Sequence, residues 1–204
     1  MPQVLLINAS ARHDTVGFRL ANELADGLAN AHAGRVVHRD LCVDPLPPLT
    51  AEYASALTRR TPFDHPVFIQ SERLIGEIEA SDALVITTPM HNFTVPATLK
   101  LWIDYVVRIG RTFESRPDGK FGLLSDRPVH ILVSSGGIHR GPDARQPDFL
   151  TAYLAHVLLT IGLSDTRFVY LQGLAQGPDA QRDAYERARL ELARERSSAH
   201  RVAG

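Results

Sequence analysis

The chain has 204 residues, 44% of them apolar, with 22 basic and 23 acidic side chains and a formal net charge of −1. That length suits one α/β domain with a full core and is short for two, so residues 1–204 are read as a single domain. The even charge balance gives no basic excess for nucleic acid, no apolar run approaches the roughly 18 residues that span a bilayer, and the single Cys42 excludes a disulfide framework.

The first strand is Val4-Leu5-Leu6-Ile7, a continuous apolar run suited to burial on both faces. No charged leader precedes it, so a cytoplasmic location is the default expectation. The turn Asn8–Gly17 leads to an amphipathic helix marked by Phe18, Leu20, Ala21, Leu24, Ala25 and Leu28, with Asp14 or Thr15 as its cap. Arg35–Leu41 reads as an edge strand, followed by the Pro-rich stretch Pro45–Pro48. Residues 50–65 lack a firm period, and 71–80 is helical with Leu74, Ile75 and Ile78 inward. Ala83–Thr88 is the third strand.

Pro89–Val95 then joins that strand to a helix carrying Leu99, Trp102, Ile103 and Val106, with Pro96 at its first position and Gly110 as its stop. Residues 112–126 hold Pro117-Asp118-Gly119 and form a turn-bearing excursion. Val129–Val133 is the fourth strand, followed by the loop Ser134-Ser135-Gly136-Gly137-Ile138-His139. Residues 149–161 form an unusually apolar helix, Arg167–Leu171 a fifth strand, and 179–196 a charged final helix. Repeated β-α units imply a doubly wound parallel sheet with helices on both faces.

Three loops follow the carboxyl ends of strands one, three and four, where open parallel sheets bind ligands. In the first, Ser10, Thr15, Val16 and Gly17 offer hydroxyls and helix-start N–H groups to a phosphate. In the second, two prolines stiffen the loop and leave the N–H groups of Met90, His91, Asn92 and Phe93 to point outward. The third, Ser134, Ser135, Gly136 and Gly137, lets a backbone come close to a flat ring.

The run from Pro89 to Asp104, with Arg108-Ile109-Gly110-Arg111-Thr112-Phe113 after it, resembles the flavin loop of the FMN-dependent azoreductases, which are NAD(P)H:quinone oxidoreductases. Ala9-Ser10-Ala11-Arg12 with Thr15-Val16-Gly17 is similar to that family's phosphate loop, and Ser134–His139 to its Ser-Arg-Gly-Gly loop with Ile-His after it. The resemblance runs from about Val4 to Pro178. It implies a flavodoxin-like five-stranded sheet of order 2-1-3-4-5, bound FMN, and ping-pong transfer of two electrons from NADH or NADPH to quinones or azo compounds. It also implies a homodimer with each flavin near the interface, which suits the broad apolar surface of helix 149–161.

Three positions depart from the family pattern. Gly17 stands where a second serine is usual, Ser135 replaces Arg, and His91 replaces Tyr. A serine at 17 would add a hydroxyl donor to the phosphate and favour the helix, so Gly17→Ser is expected to tighten FMN about tenfold. His91 and His139 are candidate flavin or substrate contacts or simply solvated side chains, and no metal is expected from them, since zinc wants three or four ligands. Trp102 reads as core, and Cys42 as a small buried side chain. Two other classes stay open: a flavodoxin-type electron carrier to a protein partner, and a phosphodiester hydrolase using Ser10.

Overall fold

A computed structural model describes residues 1–59 and 61–202, with side chains through Arg194. Five strands form a parallel sheet: β1 (Gln3–Asn8), β2 (Arg35–Asp40), β3 (Ala83–Pro89), β6 (Val129–Ser134) and β7 (Thr166–Leu171). Their order is β2-β1-β3-β6-β7, which by count of sheet strands is the expected 2-1-3-4-5. The register sets Asn8 beside both Asp40 and Thr87, and Pro89 beside Ser134, so the strands end almost level. Successive residues of each strand alternate between two cores. Leu6, Val85, Leu132 and Val169 pack under α1 (Val16–Asn30) and α6 (Pro178–Val202). Leu5, Ile7, Ile86 and Ile131 pack under α3 (Ile69–Glu79), α4 (Ala97–Val106) and α5 (Leu150–Thr160). Trp102 lies fully buried in that second core, as its helical spacing implied.

The excursion is an antiparallel hairpin, β4 (Phe113–Arg116) and β5 (Gly119–Gly122), turning at Pro117-Asp118. It seats against the end of α5, where Leu124 N–H donates to the Ile161 carbonyl at 3.1 Å. Gly162, at φ +103°, has no room for a Cβ there, because one would lie 2.5 Å from the Leu124 oxygen. Residues 50–65 hold a helix that the sequence pattern did not reveal, α2 (Ala51–Thr58), whose Thr50 hydroxyl accepts the Tyr53 N–H. Only Tyr53 and Ala56 are buried from it, with Leu57 partly covered, too few for a readable period. Pro96 is the N-cap of α4 and not its first residue. That helix also ends before Gly110, since the Thr112 hydroxyl donates to the Val106 carbonyl and accepts the Arg108 N–H.

Candidate functional site: a crevice at the sheet's carboxyl edge

The three loops meet at one cavity of about 500 Å³, lined among others by Ser10, Thr15, Val16, Met90, His91, Ser134, Ser135 and Gly136. Thr87, Thr88 and Pro89 from the end of β3 line it as well, and so do Leu174, Ala175 and Gln181, for which no motif in the sequence spoke. Gly17, Asn92, Phe93, Gly137 and His139 do not line it, though they belong to the same loops.

In the first loop the helix start carries the chemistry. Thr15 caps α1 by accepting the Phe18 N–H at 3.2 Å, which leaves its own hydroxyl hydrogen to donate. The N–H groups of Val16 and Gly17 have no partner among the described residues. No acidic residue sits in the first turn of α1, so an anion there meets the positive end of the helix dipole, with Asp14 just before the cap. Arg12 is well exposed and pairs with Asp14 at 3.4 Å. Ser10 differs from expectation in its use. Its hydroxyl donates to the Arg12 carbonyl and accepts the Arg12 N–H, bracing the turn.

That turn is held from below by a polar chain. Asn8 accepts the Ser10 N–H, donates to the Ser10 carbonyl, and donates to Asp40 at 2.7 Å. The Asp40 carboxylate also accepts from His13 Nε2 at 2.7 Å and from the N–H groups of Cys42 and Val43. Burial alone would raise its pKa, but these hydrogen bonds outweigh it and hold the carboxyl at about 2.

Gly17 is small for a reason other than backbone freedom. It lies in ordinary helix, and an added Cβ would stand 2.2 Å from Ser134 Oγ on β6. A serine at 17 must therefore push the Ser134 hydroxyl to another rotamer. The expected outcome is a gain in FMN affinity well below tenfold for Gly17→Ser alone, and about tenfold when Ser134→Ala makes room. Titration of the four proteins of this double-mutant cycle with FMN checks it; equal gains in both backgrounds would sink the idea.

The second loop corrects one expectation. Met90 N–H donates to the Ser134 carbonyl and His91 N–H to the Thr94 carbonyl, so neither is free for a ligand. Asn92 and Phe93 have positive φ, 47° and 72°, as in the tight hairpin turn in which both central residues are left-handed. Their N–H groups remain unpaired among the described residues. A left-handed Phe is strained, and it is held because its carbonyl accepts the Phe149 N–H. His91 is exposed at the cavity wall.

In the third loop the carbonyls are spent inward, that of Gly136 on Ala175 N–H and that of Gly137 on Gly173 N–H. The N–H groups of Gly136 and Gly137 have no partner among the described residues. Ser135 and His139 are both buried and lie 2.9 Å apart, Oγ to Nδ1, while His139 Nε2 has no partner.

Unpaired donors thus stand at all three loops: two N–H groups and a hydroxyl at the helix start, and two N–H groups on each of the others. A phosphate dianion and the electron-rich edge of a flat heterocycle are the groups such donors suit. The residues present fit FMN. A family model described as flavodoxin-like fold matches residues 2–195. The FMN-dependent NADH:quinone oxidoreductase 4 of Pseudomonas fluorescens is 60% identical over 194 residues, 94% of each chain. The chain belongs to the family of these FMN-dependent quinone oxidoreductases.

A second relative in this family, FMN-dependent NADH:quinone oxidoreductase 5 of Burkholderia lata, is 53% identical over 186 residues, 90% of this chain and 91% of its own. Among solved structures, an azoreductase from Bacillus anthracis superposes with a TM-score of 0.81 at 25% identity, covering 95% of this chain and 98% of its own. A larger cavity of about 860 Å³ lies elsewhere, between α2, Phe63, Arg108 and β4, and shares no lining residue with the crevice. Its walls are mostly apolar and it holds none of the strand-end donors, so size does not mark the flavodoxin-like site here. Among the described residues no His, Cys, Asp or Glu cluster could hold a metal, and no helix is long and apolar enough to cross a membrane.

Proposed function

We propose that this chain is an FMN-dependent oxidoreductase passing two electrons from NADH to quinones or azo compounds. The observation that carries the reading is the convergence of the three loops on one cavity, whose lining includes the unpaired donors of Thr15, Val16 and Gly136. Val16, Gly17 and the Thr15 hydroxyl would hold the phosphate. Gly136 and Gly137, with Asn92 and Phe93, would offer N–H groups to the ring edge, where negative charge gathers on reduction. When bound, FMN supplies the redox chemistry between NADH and the acceptor. The chain's own task is to position that ring and leave one face open, with His91 and Met90 at the wall. Ser10 and the histidines do not form a nucleophile and base, because Ser10 Oγ bonds only Arg12 and His13 is tied to Asp40.

NADH and acceptor use the same opening and so must take turns. Parallel double-reciprocal lines are the expected steady-state pattern with a quinone as acceptor. Intersecting lines would mean both substrates bind together, and a colourless protein that neither binds FMN nor oxidises NADH would end the reading.

The assembly we propose is a homodimer. Phe149, Ala152, His156 and Leu159 form one exposed stripe along α5, and exposed Phe93 is bonded to its start. Contiguous apolar surface of this kind is normally covered by a partner. Sedimentation at micromolar concentration should give the dimer; a fully active monomer would refute it.

A further inference from the structure

The third loop carries a hydrogen-bond arrangement that settles where a proton sits. Ser135 Oγ lies 2.8 Å from the Gly137 carbonyl oxygen and 2.9 Å from His139 Nδ1. A carbonyl only accepts, so the serine hydrogen goes to Gly137. The serine oxygen can then only accept from the imidazole, so Nδ1 carries the ring hydrogen. A neutral imidazole has one such hydrogen, and Nε2 is left as a bare acceptor, buried and without a partner among the described residues.

We propose that Ser135 is a positioning residue that locks His139 in its neutral Nδ1–H form, and that this lock fixes the Gly136–Gly137 donors toward the flavin. The inference rests on the FMN reading of the crevice. The same hydroxyl that holds His139 holds the Gly137 carbonyl inward, beside the bond from Gly173 N–H, so the peptide cannot turn its carbonyl toward the ligand. The ring is held on its other sides as well. Its backbone N–H donates to Gln172 Oε1 at 3.0 Å, and its edge meets the Tyr170 ring at 5.5 Å. Where the family usually places an arginine, this chain keeps a neutral relay and leaves the work to the backbone.

The charged and titratable groups around the imidazole agree with a neutral ring. Burial pushes its pKa down, the Asp148 carboxylate opposes this, and the Arg140 guanidinium adds to it. Asp148 is engaged with Thr151 through both oxygens, and Arg140 lies over the Tyr170 ring. Ser135 itself is uncharged.

The test reads the proton directly. Nitrogen-15 correlation spectra of the full chain, with and without FMN, should show His139 as the Nδ1–H form throughout, and Ser135→Ala should let both forms appear. Asparagine places its amide nitrogen where Nδ1 lies, and glutamine where Nε2 lies. His139→Asn should therefore bind FMN at least fivefold more tightly than His139→Gln, with Ser135→Ala weakened about fivefold or more. A wild-type His139 protonated on Nε2, an unchanged spectrum in Ser135→Ala, or a glutamine variant as good as the asparagine one would each overturn the proposal. Failure of the unmodified protein to bind FMN would instead overturn the reading of the crevice, and the spectra would still judge the lock.

Discussion

Asp40→Ala should lower the stability of the fold by about 3 kcal/mol and weaken FMN binding by tenfold or more. The carboxylate ends β2 and accepts four hydrogen bonds, from Asn8, His13, Cys42 and Val43. Alanine leaves one hydrogen of the Asn8 amide and two backbone N–H groups without an acceptor in a partly buried place, and such orphans cost roughly 1–3 kcal/mol each before relaxation. The loss reaches the crevice because Asn8 is what holds Ser10 from both sides. Asp40→Asn should fall between, since its carbonyl can take the two backbone donors while its NH₂ faces the Asn8 NH₂.

The pH dependence follows from the sign of the shift. The folded carboxyl titrates at about 2 against an ordinary 3.8, so its contribution is complete above about pH 4 and fades as pH falls toward 2. That contribution amounts to about 2 kcal/mol. Urea unfolding at several pH values checks it: the gap between wild type and Asp40→Ala should narrow below pH 4. A constant gap would mean that the bonds to Asp40 do not depend on its charge.

Much of the fold was legible because its central strands are covered on both faces. Val4–Ile7 and Ala83–Ile86 are unbroken apolar runs, Val129–Val133 is broken only by His130, and each sits in the middle of the sheet. The crevice was legible as loops, since strand ends and helix starts can be read from caps and prolines. Which donors are free was not legible. Met90 and His91 look as available as Asn92 and Phe93 until the pairing of β3 with β6 and the bridge to Thr94 claim them. Asn8 and Asp40 carried a faint signal as polar residues ending strands, but their mutual bond needs the register between β1 and β2. Gly17 suggested a missing hydroxyl, and only the approach of α1 to Ser134 shows that it is also a packing choice.

Arg108→Ala should cost about 3 kcal/mol and leave the crevice's own residues in place. The side chain is 1% exposed, with its guanidinium 4.3 Å from the Phe68 ring centre and 5.0 Å from that of Phe63. One Nη donates to Ser71 Oγ at 2.9 Å, and the other pairs with Glu72. Removing one partner of a buried ion pair costs 3–5 kcal/mol when the other charge is left alone. Here Glu72 keeps Arg111, whose Nε lies 3.0 Å away, and is itself partly exposed, so that penalty is reduced. What remains is the lost packing between two aromatic rings beside an already open cavity, a large-to-small deletion with no way to collapse. Arg108→Met separates the two causes. It restores bulk between the rings without charge, and it also removes an Nε that has no partner among the described residues. Methionine should therefore recover more than half of the loss, measured by urea unfolding with FMN absent. If methionine is no better than alanine, the ion pair and not the packing holds this corner together.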